Sequence, residues 1–154
     1  MGVAAPSDSA CFTYGSLMWA DIMARVCARD AAALNAAPAT LRDHARHPVM
    51  GQDYPGLVAR AGAGPVKGVL YTGLSAQEFE RLDAFEGDEY ERVRVTAEVE
   101  GPDGAACQTA WVYRFRAEFA DRLEPGDWSV EDFEAQGKAR FCERYVGFVQ
   151  SAAG

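Results

Sequence analysis

The sequence lacks the features that would place it in several common classes of protein. No apolar run approaches the roughly 18 residues that a membrane-spanning helix needs, and the N-terminus lacks the basic start and apolar stretch of a secretory signal. The four cysteines are scattered and form no C-x-x-C pair, so neither a zinc ribbon nor a dense disulfide framework is indicated. We therefore expect no membrane association and a cytoplasmic location.

Positive charge is also scarce. Fifteen Lys and Arg residues against 23 Asp and Glu residues give a formal net charge of −8, which repels phosphate backbones and argues against nucleic acid as a partner. With 154 residues, of which 49% are hydrophobic, the chain can bury a single core. We expect residues 1–10 to form a short disordered leader and residues 11–150 to form one domain.

Familiar catalytic motifs are missing as well. The only histidines, His44 and His47, do not have the spacing of a zinc site, and no G-x-S-x-G nucleophile turn is present. The chain also lacks the glycine spacing of a dinucleotide-binding loop or a P-loop. Catalysis by a histidine-activated nucleophile is therefore not indicated.

Short-range patterns predict a mixture of strands and helices. Residues 90–99 alternate between apolar and polar side chains, and the turn-forming residues 101–104 lead into a return strand over 107–115, which predicts a long β-hairpin with one buried and one wet face. Ser75 and Glu78 have the spacing of a capping box and predict a helix that ends near Phe85. The remaining elements are predicted as a strand over 11–14, a helix capped by Asp21, strands over 57–60 and 66–72 around a turn, and a final helix capped by Ser129 with Phe133, Phe141, Tyr145 and Phe148 on one face.

This order of elements contains no repeated strand–helix–strand unit. At least one pair of strands is antiparallel, so the fold class is α+β with a small curved sheet or β-barrel.

Two segments carry candidate chemistry. Gly15 and Ser16 stand between a strand and a helix, where backbone N–H groups can bind a carboxylate or an oxyanion, but most such positions are simply tight strand-to-helix turns. Five carboxylates fall within residues 83–91, and most such clusters are solvated turns. If Glu86 instead turns inward among Phe85 and Tyr90, desolvation and the neighbouring carboxylates raise its pKa toward that of a general base.

Taken together, the two segments resemble a known family. FTYGSLM at residues 12–18 and LDAFEGDEYER at residues 82–92 look like the two signatures of the gamma-glutamylcyclotransferase-like superfamily, in its avirulence-induced-gene-like branch. The resemblance extends over residues 11–148. It implies a small mixed or antiparallel β-barrel with flanking helices and a cavity at its mouth.

The resemblance also implies an activity and a site. Enzymes of this superfamily cyclise a gamma-glutamyl amine or amino acid to 5-oxoproline and release the amine, without a metal or an organic cofactor. By position, Tyr14, Gly15, Ser16 and Leu17 would bind the gamma-glutamyl group of this small-molecule substrate, and Glu86 would be the general acid/base. Because the substrate's own α-amine attacks its γ-carbonyl, the protein needs no nucleophilic side chain.

Other functions stay open at this stage. No residue of the two motifs is an obvious anchor for the substrate α-carboxylate, and Arg92, at the end of the second motif, is the nearest candidate. The lack of an obvious anchor for the substrate α-carboxylate, together with Trp111 and Tyr113 near the sheet, leaves a non-catalytic metabolite- or protein-binding module on the same fold as the alternative. A divalent-metal hydrolase built on the acidic turn is a weaker third hypothesis.

Overall fold

A closed five-stranded barrel forms the centre of the structure, a computed structural model that describes residues 9–101 and 104–143. Helices pack on the outside of the barrel, as expected for the predicted α+β class. The strands are β1 Cys11–Thr13, β2 Asn35–Leu41, β3 His44–Pro48, β4 Pro55–Ala59, β5 Val66–Thr72, β6 Tyr90–Gly101 and β7 Gly104–Phe115. The helices are α1 Ala20–Cys27, α2 Ala76–Glu86, α3 Val130–Asp132 and α4 Lys138–Phe141, with a π-helical turn over Phe133–Gly137 between the last two.

The barrel strands are hydrogen-bonded in the order β1-β5-β2-β6-β7. All neighbouring pairs are antiparallel except the closing pair, in which β7 runs parallel to β1 with Trp111 opposite Cys11. Strands β3 and β4 form a separate two-stranded sheet. Within the described ranges, no helix combines the length and apolarity needed to cross a bilayer.

Two apolar clusters hold this arrangement together. The first fills the barrel and receives side chains from every barrel strand, among them Phe12, Leu41, Leu70, Ala97 and Val112. The second lies between the outer wall of the barrel and the helices, and its largest fully buried members are Tyr71, Ile22, Met23 and Leu82. Burial of apolar surface in both clusters is the main force that fixes the helices on the barrel.

The long hairpin confirms one prediction and corrects its detail. β6 and β7 pair over their full length from Tyr90 and Phe115 to Gly101 and Gly104, while the tip of the turn lies outside the described residues. The β6 valines face the barrel interior as expected. The opposite face is not exposed to solvent along its whole length, because Tyr113 and Phe115 of β7 are buried in the second cluster, between the barrel and the helices.

Other local predictions are wrong in instructive ways. Asp21 does not cap α1: the N-cap position is Trp19, with no side-chain hydrogen bond. The strands predicted over 57–60 and 66–72 are present as β4 and β5, but they do not pair with each other: β4 pairs with β3, and β5 pairs with β1 and β2. Ala10, the last residue of the expected leader, is fully buried, and its carbonyl accepts a hydrogen bond from the Trp111 N–H at 2.8 Å, so ordered structure begins before Cys11.

The termini of α2 and the start of the final helical segment agree with the prediction. Ser75 and Glu78 form the capping box, and α2 ends at Glu86, one residue beyond the expected end. Ser129 accepts a hydrogen bond from the Asp132 N–H at 3.1 Å, as expected of a cap. Phe133 and Phe141 are buried on the final helical segment, whereas Tyr145 and Phe148 lie outside the described residues.

Candidate active site

The loop that follows β1 is held tightly against its surroundings. A Cβ atom added at Gly15 would lie 2.8 Å from the Cδ and Cγ atoms of Pro55, so only glycine fits where the loop packs against the Pro55 ring. At the far end of the loop, the Tyr71 hydroxyl donates to the Leu17 carbonyl at 2.8 Å and to the Met18 carbonyl at 3.2 Å. The loop is therefore a fixed structure rather than a flexible connection.

Tyr14 is fixed by its own side chain. Its ring is buried, and its hydroxyl donates a hydrogen bond of 2.6 Å to the Tyr113 carbonyl on β7. This bond connects the loop to the strand that closes the barrel on the other side of β1. Loop and barrel mouth are thereby joined.

Glu86 occupies the C-terminal end of α2. Gly87 follows it with φ +77°, a conformation that glycine adopts without strain, and ends the helix there. Glu86 is half-buried, and it lines a cavity together with the loop. Burial raises its pKa from the ordinary 4.5 to about 8, and the negative charge of Asp83 adds to the effect.

Asp83 lies one helical turn before Glu86, on the same face of α2. It accepts a hydrogen bond from the Tyr113 hydroxyl at 2.6 Å and two from Arg92, at 2.9 and 3.3 Å. Three donors thus hold the Asp83 carboxylate in place, whereas burial disfavours the ionised form of Glu86. The two carboxylates differ in their environments, and such a difference is typical of acid/base sites.

The predicted site residues meet at one cavity of about 240 Å³. Tyr14, Gly15, Ser16 and Leu17 line one part of it, and Glu86 lines another. Aromatic side chains form much of the remaining wall. The other lining residues are Phe12, Thr13, Tyr54, Pro55, Phe85, Gly87, Asp88, Glu89, Tyr90, Tyr113 and Phe141.

The comparison that decides the family is a match to a family model. Residues 11–130 match the family described as gamma-glutamyl cyclotransferase, AIG2-like. This range includes the loop, the whole barrel and α2 with Glu86.

The chain belongs to the AIG2-like gamma-glutamyl cyclotransferase family.

Comparison with individual relatives of this AIG2-like chain supports the same family. AIG2-like protein A of Arabidopsis thaliana is 31% identical over 136 residues, which are 87% of this chain and 77% of that protein. Protein AIG2 C of the same plant is 29% identical over 142 residues, covering 91% and 81% of the two chains. A solution structure of another Arabidopsis thaliana protein superposes with a TM-score of 0.65 at 27% identity, covering 95% of this chain and 93% of that one.

Arg92, the sequence-based candidate for a carboxylate anchor in this AIG2-like chain, does not line the loop cavity. Its guanidinium binds Asp83 and lies 4.5 Å from the centroid of the Trp111 ring and 4.9 Å from that of Phe79. It faces a second, adjoining cavity that shares Glu86 and Tyr113 with the first. No Lys, Arg or His occurs among the described residues that line the loop cavity.

The two histidines of the AIG2-like chain contact backbone carbonyl groups and do not line the loop cavity. The His44 ring is buried, and its Nδ1 lies 2.9 Å from the Arg42 carbonyl. His47 contacts the Gly126 carbonyl through Nδ1 at 2.7 Å and Arg60 through Nε2 at 3.1 Å. In the part of the chain that the structure describes, no three His, Cys, Asp or Glu side chains are grouped so that they could hold a metal ion.

Sequence reasoning missed several residues of this AIG2-like site. Asp83 could have been found, because its spacing of three residues from Glu86 on a predicted helix places both on one face. Tyr54 and Phe141 could not have been found from the sequence. They come from a connection between β3 and β4 and from the final helical segment, and only the tertiary structure brings them to the cavity wall.

Proposed function

We propose that this protein is a gamma-glutamyl cyclotransferase that converts a gamma-glutamyl amine or amino acid to 5-oxoproline and releases the amine. The observation that carries the proposal is the meeting of the Tyr14–Leu17 loop and a half-buried glutamate of raised pKa in one aromatic-walled cavity. The family match supports the same reaction class.

Glu86 would act on the substrate's α-amine. An ammonium group has no free electron pair, so it must lose a proton before its nitrogen can attack the γ-carbonyl carbon. Glu86 accepts that proton, the N–C bond of the five-membered ring forms, and the protonated Glu86 then returns the proton to the departing amine as the original amide bond breaks. The ring nitrogen, which still carries one proton too many after its attack, releases that proton to the ionised Glu86 or to water, and the neutral ring amide of 5-oxoproline results. A pKa of about 8 suits both steps, because the group gains and loses a proton near neutral pH.

The loop would bind the gamma-glutamyl group. Since no cationic side chain is found among the described lining residues, backbone N–H groups of the loop are the available donors for the α-carboxylate or for the oxyanion that forms at the γ-carbonyl. The fixed loop and the aromatic walls would also fold the substrate so that amine and carbonyl approach each other, and such orientation contributes much of the acceleration in ring closures.

The decisive experiment compares wild type with Glu86→Gln on a panel of gamma-glutamyl amines and amino acids. We expect 5-oxoproline release by wild type, and a loss of kcat on the order of 10²-fold or more in the variant, because Gln keeps the shape of Glu but accepts no proton. Glu80→Gln, on the exposed side of the same helix, is the matched control and should retain full activity.

Two results would contradict the proposal. Equal turnover by wild type and Glu86→Gln would remove the assigned role of the glutamate. Saturable binding of a metabolite without any 5-oxoproline release would favour the binding module, to which the absence of a cationic side chain among the described lining residues also lends support.

A further inference from the structure

A buried arginine lies directly behind the loop, on the two-stranded sheet outside the barrel. Arg46 is centrally placed in β3, and its side chain is only 8% exposed. Its Nε and Nη2 donate to the two carboxylate oxygens of Asp127 at 2.8 and 3.0 Å, and its Nη1 donates to the Tyr14 carbonyl at 2.9 Å. The guanidinium also lies 5.4 Å from the centroid of the Trp128 ring.

The ion pair with Asp127 does not account for the burial of Arg46. The Asp127 side chain is 66% exposed, and a pair of this kind could form at the surface at little cost. Burying a guanidinium is costly unless its donors are satisfied. The feature that requires Arg46 to reach inward is its third contact, the carbonyl of Tyr14, which belongs to the loop of the candidate site.

The contact with Tyr14 determines the direction of the next N–H group. In a planar trans peptide the carbonyl of one residue and the N–H of the next point in opposite directions. Arg46 holds the Tyr14 carbonyl from behind, so the Gly15 N–H is directed away from Arg46. Gly15 lines the cavity, and among residues 9–101 and 104–143 no acceptor takes a hydrogen bond from its N–H.

We infer that Arg46 is a positioning residue: by binding the Tyr14 carbonyl it orients the Tyr14–Gly15 peptide so that the Gly15 N–H is presented to the ligand in the cavity. The inference rests on the proposed function for the identity of that ligand, the gamma-glutamyl group. Arg46 itself does not line the loop cavity and acts through the peptide. Asp127 in turn fixes the plane of the guanidinium by its two hydrogen bonds.

The test uses Arg46→Gln, assayed at a temperature at which circular dichroism shows the variant to be folded. Loss of an oriented donor should lower kcat/KM for a gamma-glutamyl amino acid by about 10- to 100-fold in Arg46→Gln. The pH midpoint of the activity should stay where wild type has it, because Glu86 is not altered. Arg42→Gln, which removes an exposed arginine paired with Glu98, is the matched control and should leave kcat/KM unchanged.

A second measurement is independent of turnover. In ¹H–¹⁵N spectra, Arg46→Gln should shift the Gly15 amide resonance and reduce its response to added 5-oxoproline, whereas Arg42→Gln should do neither. If Arg46→Gln does not fold, Asp127→Asn provides the same readouts, since it removes an exposed carboxylate and loosens the guanidinium without deleting it.

The outcomes separate the two proposals. Wild-type kcat/KM in folded Arg46→Gln, or in Asp127→Asn where that variant takes its place, overturns the inference about Arg46. If wild type releases no 5-oxoproline from any substrate, the proposed function fails; the Gly15 resonance then decides the role of Arg46, and an unmoved resonance overturns it.

Discussion

Burial of Glu86 both suits the residue to proton transfer and lowers the stability of the folded protein. Its burial disfavours the ionised form, which raises the pKa to about 8 and suits proton transfer near neutral pH. The same burial means that folding must either retain a proton on Glu86 or bury a charge. A site of this kind reduces the stability of the protein that contains it.

The pH dependence of stability follows from this shift. Between the ordinary pKa of 4.5 and about 8, folded Glu86 keeps a proton that the unfolded chain has released, so its contribution to the free energy of unfolding falls as the pH rises. Because the side chain remains partly accessible, we expect Glu86→Gln to be more stable than wild type by about 1–3 kcal/mol near pH 8.

Urea unfolding of both proteins checks this prediction. The difference in unfolding free energy should shrink toward zero as the pH is lowered to the ordinary pKa of a glutamate. Glu80→Gln serves as the control, since its exposed carboxylate should give no such pH-dependent difference. A difference between wild type and Glu86→Gln that does not change with pH would show that Glu86 titrates as an ordinary surface carboxylate.

At the scale of elements, α2 positions the glutamate. The helix begins with reciprocal hydrogen bonds: the Glu78 N–H donates to the Ser75 hydroxyl at 3.1 Å, and the Ser75 N–H donates to the Glu78 carboxylate at 2.8 Å. Glu78 is buried and also binds Arg29, which follows α1. The start of α2 is thereby fixed to its neighbour, and Glu86 follows at its other end.

Loss of the cap should weaken the helix. We expect Ser75→Ala to lower the free energy of unfolding by about 1 kcal/mol, because the Glu78 N–H loses its acceptor at the helix terminus. Urea denaturation measures the change, and Ser75→Thr, which keeps a hydroxyl, should recover most of it. Equal stability of Ser75→Ala and wild type would show that water replaces the cap at no cost.

For the whole molecule, closure of the barrel depends on the short strand β1. It is bonded to β5 on one side and to β7 on the other, so it completes the ring and then leads directly into the loop of the site. Gly68 in β5 permits this closure. A Cβ atom at that position would lie 2.7 Å from the Phe12 ring and would also collide with the Thr13 carbonyl.

Gly68→Ala should therefore destabilise the protein strongly. The added methyl has no space unless β1 moves away from β5, and we expect a loss of about 3 kcal/mol in the free energy of unfolding. Thermal and urea unfolding measure it. Lys67→Ala, at the exposed neighbouring position on the same strand, is the control and should change stability little; a similarly small change in Gly68→Ala would contradict the observed closeness of β1 and β5.

The sequence by itself determined the features that depend on neighbours along the chain. The capping box at Ser75 and the alternation in β6 are readable because hydrogen bonds and side-chain faces repeat over a few residues. The two motifs are readable in a different way, as a resemblance to the family. The fold class followed from these elements and from the family resemblance.

Only the tertiary structure decided which distant groups meet. The separation of β4 from β5, the cover over Tyr113 and the contact of Arg46 with Tyr14 join residues far apart in the chain, and no local pattern encodes them. The same holds for Glu86, which the sequence alone could equally have placed in a solvated turn. Its pKa is set by how much water the surrounding side chains exclude, and those side chains come from several separate parts of the fold.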